Sequence, residues 1–353
     1  MPQGAEIRIN ALPDPELMGS GSIEVYERAG ATTTYRLRYP VVVNDEGDLS
    51  MLADSRFDPG SEVSILVPVE DGNECLVKGP IHGHAMHLDH AAANSWVEII
   101  GSDTSVAMNR ESKVRVWADI TDSDAISTVL SSYGYVPDVQ STAAGHAEDR
   151  HALVQRETDL EFIKRLARRN GYHFWVTCDS GGTETAHFRR SDLETEPAAT
   201  FVINLEGSNI DALDLQWDVE RPTSIESSDI DPMTGSDIDG ATTSSGNRAL
   251  GSVSLIEIAP DTRSTRLTAP VDDSGDLHAR SSAVLGESEW FVQGTTNTTL
   301  ARLGSLVRAH TVVTVSGAGT RHSGDYYVTG VRHVIDSSQH RMEVELSRNG
   351  WNT

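Results

Sequence analysis

The stretch Val154-Gln155-Arg156-Glu157-Thr158-Asp159-Leu160-Glu161-Phe162-Ile163-Lys164-Arg165-Leu166-Ala167-Arg168-Arg169-Asn170-Gly171-Tyr172-His173-Phe174 sets the reading of the whole chain. Thr158 and Glu161 stand in the spacing of a capping box, in which the hydroxyl and the carboxylate satisfy free backbone donors of a first helical turn. Phe162 with Leu166 and Ile163 with Ala167 then meet at i, i+4 on one face. Arg165, Arg168 and Arg169 lie toward the negative end of the helix dipole, and Gly171 closes the helix. A strand over residues 172–177 is predicted to follow at once.

Upstream, Ile126, Val129, Leu130 and Tyr133 recur at i, i+3, i+4 and i+7. Residues 121–124 can cap the start and Gly134 can end it, so this is a second helix with one buried stripe. The two helices and their strand make a small α/β unit over residues 120–199. The residues on either side of it change period. Val63, Ile65, Val67 and Val69 alternate with neighbours within 61–69, and strands are also predicted at 96–100 and 113–120, punctuated by Asn44-Asp45-Glu46-Gly47 and Asp58-Pro59-Gly60. Beyond the unit, strands are predicted at 201–205, through Leu213, Leu215, Trp217 and Val219, and at 253–258, 311–315, 326–334 and 341–346. Residues 224–247, rich in Ser, Thr, Asp and Gly, read as an exposed loop, and 279–285 as a short helix. The fold class is therefore mainly β (α+β). Its expected form is two related β-barrels, residues 1–119 and 200–353, flanking the insertion 120–199, with strands of the second returning to the insertion.

Composition excludes several functions. The chain has 353 residues with 53 acidic and 28 basic side chains, a net charge of 28 − 53 = −25. Binding nucleic acid regardless of sequence needs the opposite sign, so no stable nucleic-acid binding is expected. Hydrophobic residues at 38% are enough for a core. No apolar run is long enough to span a bilayer and the start lacks a signal-peptide pattern, so a soluble protein without membrane insertion is expected. Lys78, Lys113 and Lys164 are the only lysines, leaving 28 − 3 = 25 arginines, as a salt-adapted host or a G+C-rich coding bias would produce. Cys75 and Cys178 sit in unrelated segments and read as free thiols.

Candidate chemical sites are weak. His82, His84, His87 and His90 with Asp89 are the densest set of metal-type side chains, but their spacing fits no metal signature; a solvated strand end and turn is the better reading. Asp229, Asp231, Asp237 and Asp239 resemble a calcium loop superficially, yet Met233 occupies a ligand position and no glutamate stands at the twelfth. His151, Glu157 and Arg165 read as structural ion pairing. There is no G-x-S-x-G elbow, phosphate-binding glycine loop or H-E-x-x-H. No catalytic, metal or cofactor site is assigned, and no cofactor is expected.

The opening stretch also resembles the signature "QxxExDxxFxxRLxxxxGxxF" of the phage late control protein D family and of the hub part of valine-glycine repeat spike proteins. The matching positions are Glu157, Asp159, Phe162, Arg165, Leu166 and Gly171, with Gln155 standing one residue closer to Glu157 than the signature's glutamine. In the same order, Phe57-Asp58-Pro59-Gly60, Gly79 before His82, Gly101-Ser102-Asp103 and residues 121–126 are similar to that family's first barrel and its exit into the insertion. Gly324, Tyr326 and His333, then Arg348 and Asn349 before Gly350, are similar to its closing strands.

The resemblance implies tail-tube-like barrels and a structural role without catalysis. It implies a baseplate hub of a contractile injection system or phage tail, a homotrimer that adapts a hexameric tail tube to a trimeric spike. Since the chain stops at Thr353, the spike is expected to be a separate protein. Baseplate wedge and LysM-type baseplate proteins are the other expected partners, with assembly in the cytoplasm and residence in the tail or injection particle. A tail-associated cell-wall or polysaccharide hydrolase is the competing reading. A carbohydrate-binding protein is a third, but Trp175, Trp217 and Trp290 sit in alternating apolar runs and are expected in the core.

Overall fold

The computed structural model describes residues 4–17, 21–49, 54–70, 72–90, 94–143, 145–231, 233–259, 261–271 and 273–353. Its frame is a sheet of thirteen strands. In order of hydrogen bonding these are Leu213–Trp217, Val292–Thr299, His340–Arg348, Gly324–Ile335, Ser22–Arg28, Thr34–Pro40, Trp96–Ser102, Gly72–His87, Glu62–Val69, Glu6–Ile9 and Leu12–Pro13. Val312–Ser316 and Thr200–Val202 branch from Gly324–Ile335. Thr34–Pro40 shows why these segments are strands: Tyr35, Leu37 and Tyr39 are buried while Thr34, Arg36 and Arg38 point outward.

The mainly β fold class holds, but the expected pair of closed barrels is corrected. Among the described residues the sheet's end strands, Leu213–Trp217 and Leu12–Pro13, do not pair, so the path stays open. The cause is the long strand Gly324–Ile335. Its first part pairs with Val312–Ser316, and its later part pairs antiparallel with Ser22–Arg28 from Gly330↔Arg28 to Ile335↔Ile23. The two halves are thereby fused edge to edge. One hydrophobic cluster runs through both, taking in Ile7, Val25 and Leu37 from the first and Val331, Val344 and Leu346 from the second.

The insertion has its own core. Helices Asp122–Ser131 and Asp159–Asn170 bury Ile126, Val129, Leu130, Phe162, Ile163 and Leu166. They pack with a three-stranded sheet, Val136–Val139, Glu184–Arg189 and His173–Cys178, and with a two-stranded ribbon, Ser112–Trp117 and Leu153–Thr158. Both helices start on the threonines expected. Thr158 accepts from the Glu161 N–H at 3.2 Å while Glu161 accepts from the Thr158 N–H at 3.2 Å. Gly171 ends the helix in the left-handed region at φ 66°.

Several local expectations are corrected. Residues 224–247 are not a free loop. Ser224–Ile230 pairs with Asp237–Asp239 and with Ser264–Leu267, and helix Ser274–Ser288, longer than expected, packs on it. The buried contact there includes Ser227 Oγ to Ser281 Oγ at 2.8 Å, which no hydropathy pattern reveals. Only Val253–Ser254 of the predicted strand 253–258 is extended, because Ser254 N–H donates to Glu257 at 2.6 Å and starts the helical turn Leu255–Ile258. Cys75 and Cys178 are not free thiols: they form a disulfide tying strand Gly72–His87 to strand His173–Cys178 of the insertion. The three tryptophans expected in the core are not fully buried either. Trp217 is 52% exposed on the end strand, and Trp175 and Trp290 are half-buried.

Candidate functional site: the junctions that carry the signature

The signature side chains gather at the seams between the insertion, its ribbon and the last strands. Asp159, the first helical residue after Thr158, is fully buried. Its Oδ1 accepts from Gln155 Nε2 at 2.7 Å, and its Oδ2 from the Tyr133 hydroxyl at 2.7 Å and from the Lys113 ammonium. Burial pushes this carboxyl up, but the hydrogen bonds from Lys113, Gln155 and Tyr133 outweigh it and hold the group below the ordinary aspartate range. Arg165 reaches back from the helix to Glu157 at 2.7 Å and to the Val154 carbonyl at 2.9 Å. Gln155, Glu157, Asp159 and Arg165 thus bolt the helix onto the ribbon, over the apolar floor of Phe162 and Leu166.

A second network lies at the other end of the helix. Buried Asp122 meets His146 Nε2 at 2.7 Å and Asn170 Nδ2 at 2.8 Å, with the Arg169 guanidinium at 3.5 Å. Arg169 also donates to Asp276 at 2.8 Å, which Arg280 holds at 3.1 Å. This chain of charges joins the insertion to helix Ser274–Ser288. Burial raises the Asp122 carboxyl, and His146, Arg169 and Asn170 pull it below the ordinary range.

The closing residues form a third junction. Arg348 is 1% exposed without a carboxylate partner among the described residues. Its guanidinium donates to the carbonyls of Leu250 at 2.8 Å, Ser323 at 3.2 Å and Arg321 at 3.4 Å and to Asn352 Oδ1 at 3.3 Å, and it lies 5.2 Å over the Tyr326 ring. Gly324 has φ +128°, and a Cβ there would sit 2.6 Å from the Arg348 Nη2. Asn349 accepts from the Leu250 N–H and donates to the Arg248 carbonyl, both at 2.8 Å. His333 is fully buried and its Nδ1 lies 3.0 Å from His340 Nε2. Near the first half, a Cβ on Gly101 would fall within 2.0 Å of the Tyr35 ring, whose hydroxyl donates to the Gly79 carbonyl at 3.1 Å. Asp103 accepts from the N–H groups of Thr33 at 2.6 Å and Ser105 at 2.9 Å, while burial pushes its carboxyl up to about 6.

Of the signature residues, Gln155, Glu157, Asp159 and Arg165 meet in the first junction and Gly324, Tyr326, Arg348 and Asn349 in the third, the second holds none of them, and His333 pairs separately with His340, so they do not line one cleft. Sequence reading gave no junction role to Lys113, Tyr133, His146 and Asp276, because each is drawn in from a distant segment. It also missed a stack at the border of the insertion and the second half, where Trp175 lies between His310 at 3.7 Å and His187 at 4.6 Å. His310 Nδ1 pairs with the Tyr327 hydroxyl at 2.8 Å. Among the described residues no three His, Cys, Asp or Glu side chains are placed to hold a metal ion. His87 stacks on Trp96 at 5.9 Å and lies 3.2 Å from Asp89, and His82, His84 and His90 are exposed. Asp231 accepts from the Met233 N–H at 2.8 Å, closing the turn between Ser224–Ile230 and Asp237–Asp239. In the three junctions every carboxylate is engaged by a cation, an amide or a hydroxyl; the arrangement fixes positions.

The sequence matches the family described as Alg8 N-terminal domain over residues 21–337. The chain belongs to that family. Among curated protein sequences none matches this Alg8 N-terminal domain protein. Its fold is similar to that of solved tail proteins over their full length. A tail protein from Neisseria meningitidis aligns with TM-score 0.69 and 13% identity, covering 99% of this chain and 97% of that one. A 43 kDa tail protein of prophage MuSo2 from Shewanella oneidensis aligns with TM-score 0.70 and 13% identity, covering 98% of each. An E. coli component of the type VI secretion system aligns with TM-score 0.60 and 12% identity, covering 97% of this chain and 76% of that one. This chain thus shares the fold of those tail proteins, while the family it belongs to is one the sequence reading had not named.

Proposed function

We propose that this Alg8 N-terminal domain protein is a structural baseplate hub of a contractile injection system or phage tail, equivalent to the late control protein D family and to the hub part of valine-glycine repeat spike proteins. In this reading three chains form a ring in which residues 1–119 and 200–353 each present one tube-like β unit, and residues 120–199 form a peripheral insertion. The six β units meet a hexameric tail tube on one side and a trimeric spike on the other, with baseplate wedge and LysM-type proteins around the rim. The ring is assembled in the cytoplasm and resides in the particle. The chain performs no catalysis, and the signature residues act as the bolts that hold the insertion and the two β units in one geometry.

The observation that carries the reading is the likeness to two tail proteins over 98–99% of this chain, insertion included. It is supported by the way Gly324–Ile335 joins the two β halves into one sheet, which makes each chain a rigid double unit. The test is the solution mass by light scattering. The hub reading expects 3 × 38.2 = 114.6 kDa, alone or on addition of the tube protein; a species that stays at one chain under both conditions contradicts it.

A further inference from the structure

The stack of His310, Trp175 and His187 sits where the three parts of the chain meet. Along strand His173–Cys178, Phe174 and Val176 enter the insertion's core, while His173 and Trp175 face the other way, toward the second half. His310 meets them from the second half, its ring within 11° of parallel to the Trp175 indole and T-shaped to His173 at 5.5 Å. The two residues before it grip the first half. Arg308 donates to Glu27 at 2.6 Å and to the carbonyls of Cys75 and Leu76 at 3.0 and 3.1 Å, and the Ala309 N–H donates to Glu27 at 3.0 Å. Cys75 is in turn bonded to Cys178, at the far end of the strand that carries Trp175. A closed circuit thus runs through Cys75, Cys178, Trp175, His310 and Arg308, with the disulfide and the stack as its two links to the insertion.

The second link is built so that a proton disfavours it. His310 has φ 68°, in the left-handed region that a β-carbon disfavours, so its neighbours hold the backbone there. Its Nδ1 pairs with Tyr327, and its Nε2 is buried without a partner among the described residues. The insertion turns His173, Trp175 and, behind the indole, His187 toward it; strand Gly324–Ile335 supplies Tyr327, and Arg308 and Glu27 pair with each other alongside. Asp138 is engaged by His187 at 2.7 Å and Arg189 at 3.2 Å, and the pocket beside His173 is edged by Arg168, Arg190 and Glu287. Among the described residues none of these carboxylates touches the His310 or His173 ring. A second proton on His310 would bury an N–H with no acceptor and set a positive charge against His173. Burial and the neighbouring histidines hold His310 well below the usual histidine range, and burial lowers His173. Released into water, either ring titrates near 6.5, so the closed contact is fully favoured above about that pH and weakens as the pH falls from there.

We propose that this stack is an acid-sensitive joint: at neutral pH it clamps strand His173–Cys178 of the insertion onto residues 308–310, and uptake of a proton by His310 opens that seam. The disulfide and the Arg169–Asp276 pair keep the insertion attached when it opens. This goes beyond the hub reading and stands whether or not the chain is a trimer. The test is hydrogen exchange of the full chain read by mass spectrometry at about pH 7 and about pH 5, with rates corrected for the intrinsic pH dependence of amide exchange. Protection of residues 172–178 and 308–311 should fall by about ten-fold or more beyond any change in helix Asp159–Asn170 and strand Ser22–Arg28. His310→Asn suits the left-handed backbone and takes up no proton, so it should remove that extra fall. His173→Gln should lessen it, and His340→Gln, in the separate histidine pair, should leave it unchanged. Far-UV circular dichroism at about pH 7 checks the fold of each variant, and His173→Gln carries the comparison if His310→Asn does not fold. The proposal is overturned if the seam keeps its protection at the lower pH, if it loses protection only in step with the rest of the chain, or if the extra fall survives both His310→Asn and His173→Gln.

Discussion

Replacing Cys75 and Cys178 together with alanine removes the one covalent tie between the first β half and the insertion. The bond spans a sequence separation of 103. In the loop-closure description the cross-link withholds about 2.1 + 1.5R ln 103, or about 16 cal/mol/K, from the unfolded chain, which is about 4.7 kcal/mol at 25 °C. Unfolding entropy near 2.1 cal/mol/K per residue over 353 residues amounts to about 0.74 kcal/mol/K, so the double variant should melt about 6 °C lower. Alanine is the right replacement because Cys75 is buried and a serine hydroxyl there would add its own desolvation cost. The assay is a pair of thermal melts, double variant against unreduced protein, with the unreduced protein plus reductant as the control that should fall on the variant. Two titratable thiols in the native protein, or a shift under about 1 °C, would refute the reasoning, since either would mean that these cysteines do not constrain the chain.

Leu166→Asp should prevent folding of the insertion, because Leu166 is fully buried and an unpaired charge there costs several kcal/mol; Thr158→Ala should cost about 1 kcal/mol through the lost cap, and thermal unfolding that fails to separate the two would contradict the helix described. Arg348→Met should destabilise by about 3 kcal/mol or more in a denaturant titration, since it strands the buried carbonyls of Leu250 and Ser323; a neutral result would show that the guanidinium is dispensable. Acid should weaken the protein above the ordinary carboxylate range through its buried histidines, an effect that Asp103, raised to about 6, opposes in part. Burial holds His340 down to about 4 and His333 well below the usual histidine range, so the unfolded chain binds the extra protons, and stability is full above about pH 6.5 and falls as the pH drops from there toward about 4. Melting temperatures measured across that window should decline, and His340→Gln should flatten the decline.

What was legible in the sequence was what local physics specifies. The capping threonines, Gly171 and the stripe of Phe162 and Leu166 were readable because each depends on residues within one or two turns. So was the strand over 61–69, where an apolar alternation survives in the finished fold. Val292–Thr299 went unread because its inward positions include Thr296 and Thr298, whose hydroxyls donate to the carbonyls of Ala212 and Asn209 at 2.7 Å; hydrogen bonds to a distant segment stand in for apolar contact. The same holds for Ser227 against Ser281. The junctions were half legible: the motif marked Gln155, Asp159 and Arg348, but Lys113, Asp122 and Asp276 come from segments that only the fold brings in. The fusion of the halves through Gly324–Ile335 and Ser22–Arg28 is a pairing some 300 residues apart, and the disulfide one of 103; neither leaves a local trace.

The hub reading meets its most direct test in electron microscopy of intact particles purified from the source cells, with this chain located by a tag or by its density. Three copies in one ring between the end of the tail tube and the spike, each giving two β units to the ring, is the expected result. Six copies, a single β unit per chain in the ring, or a position away from the tube-spike junction would contradict it.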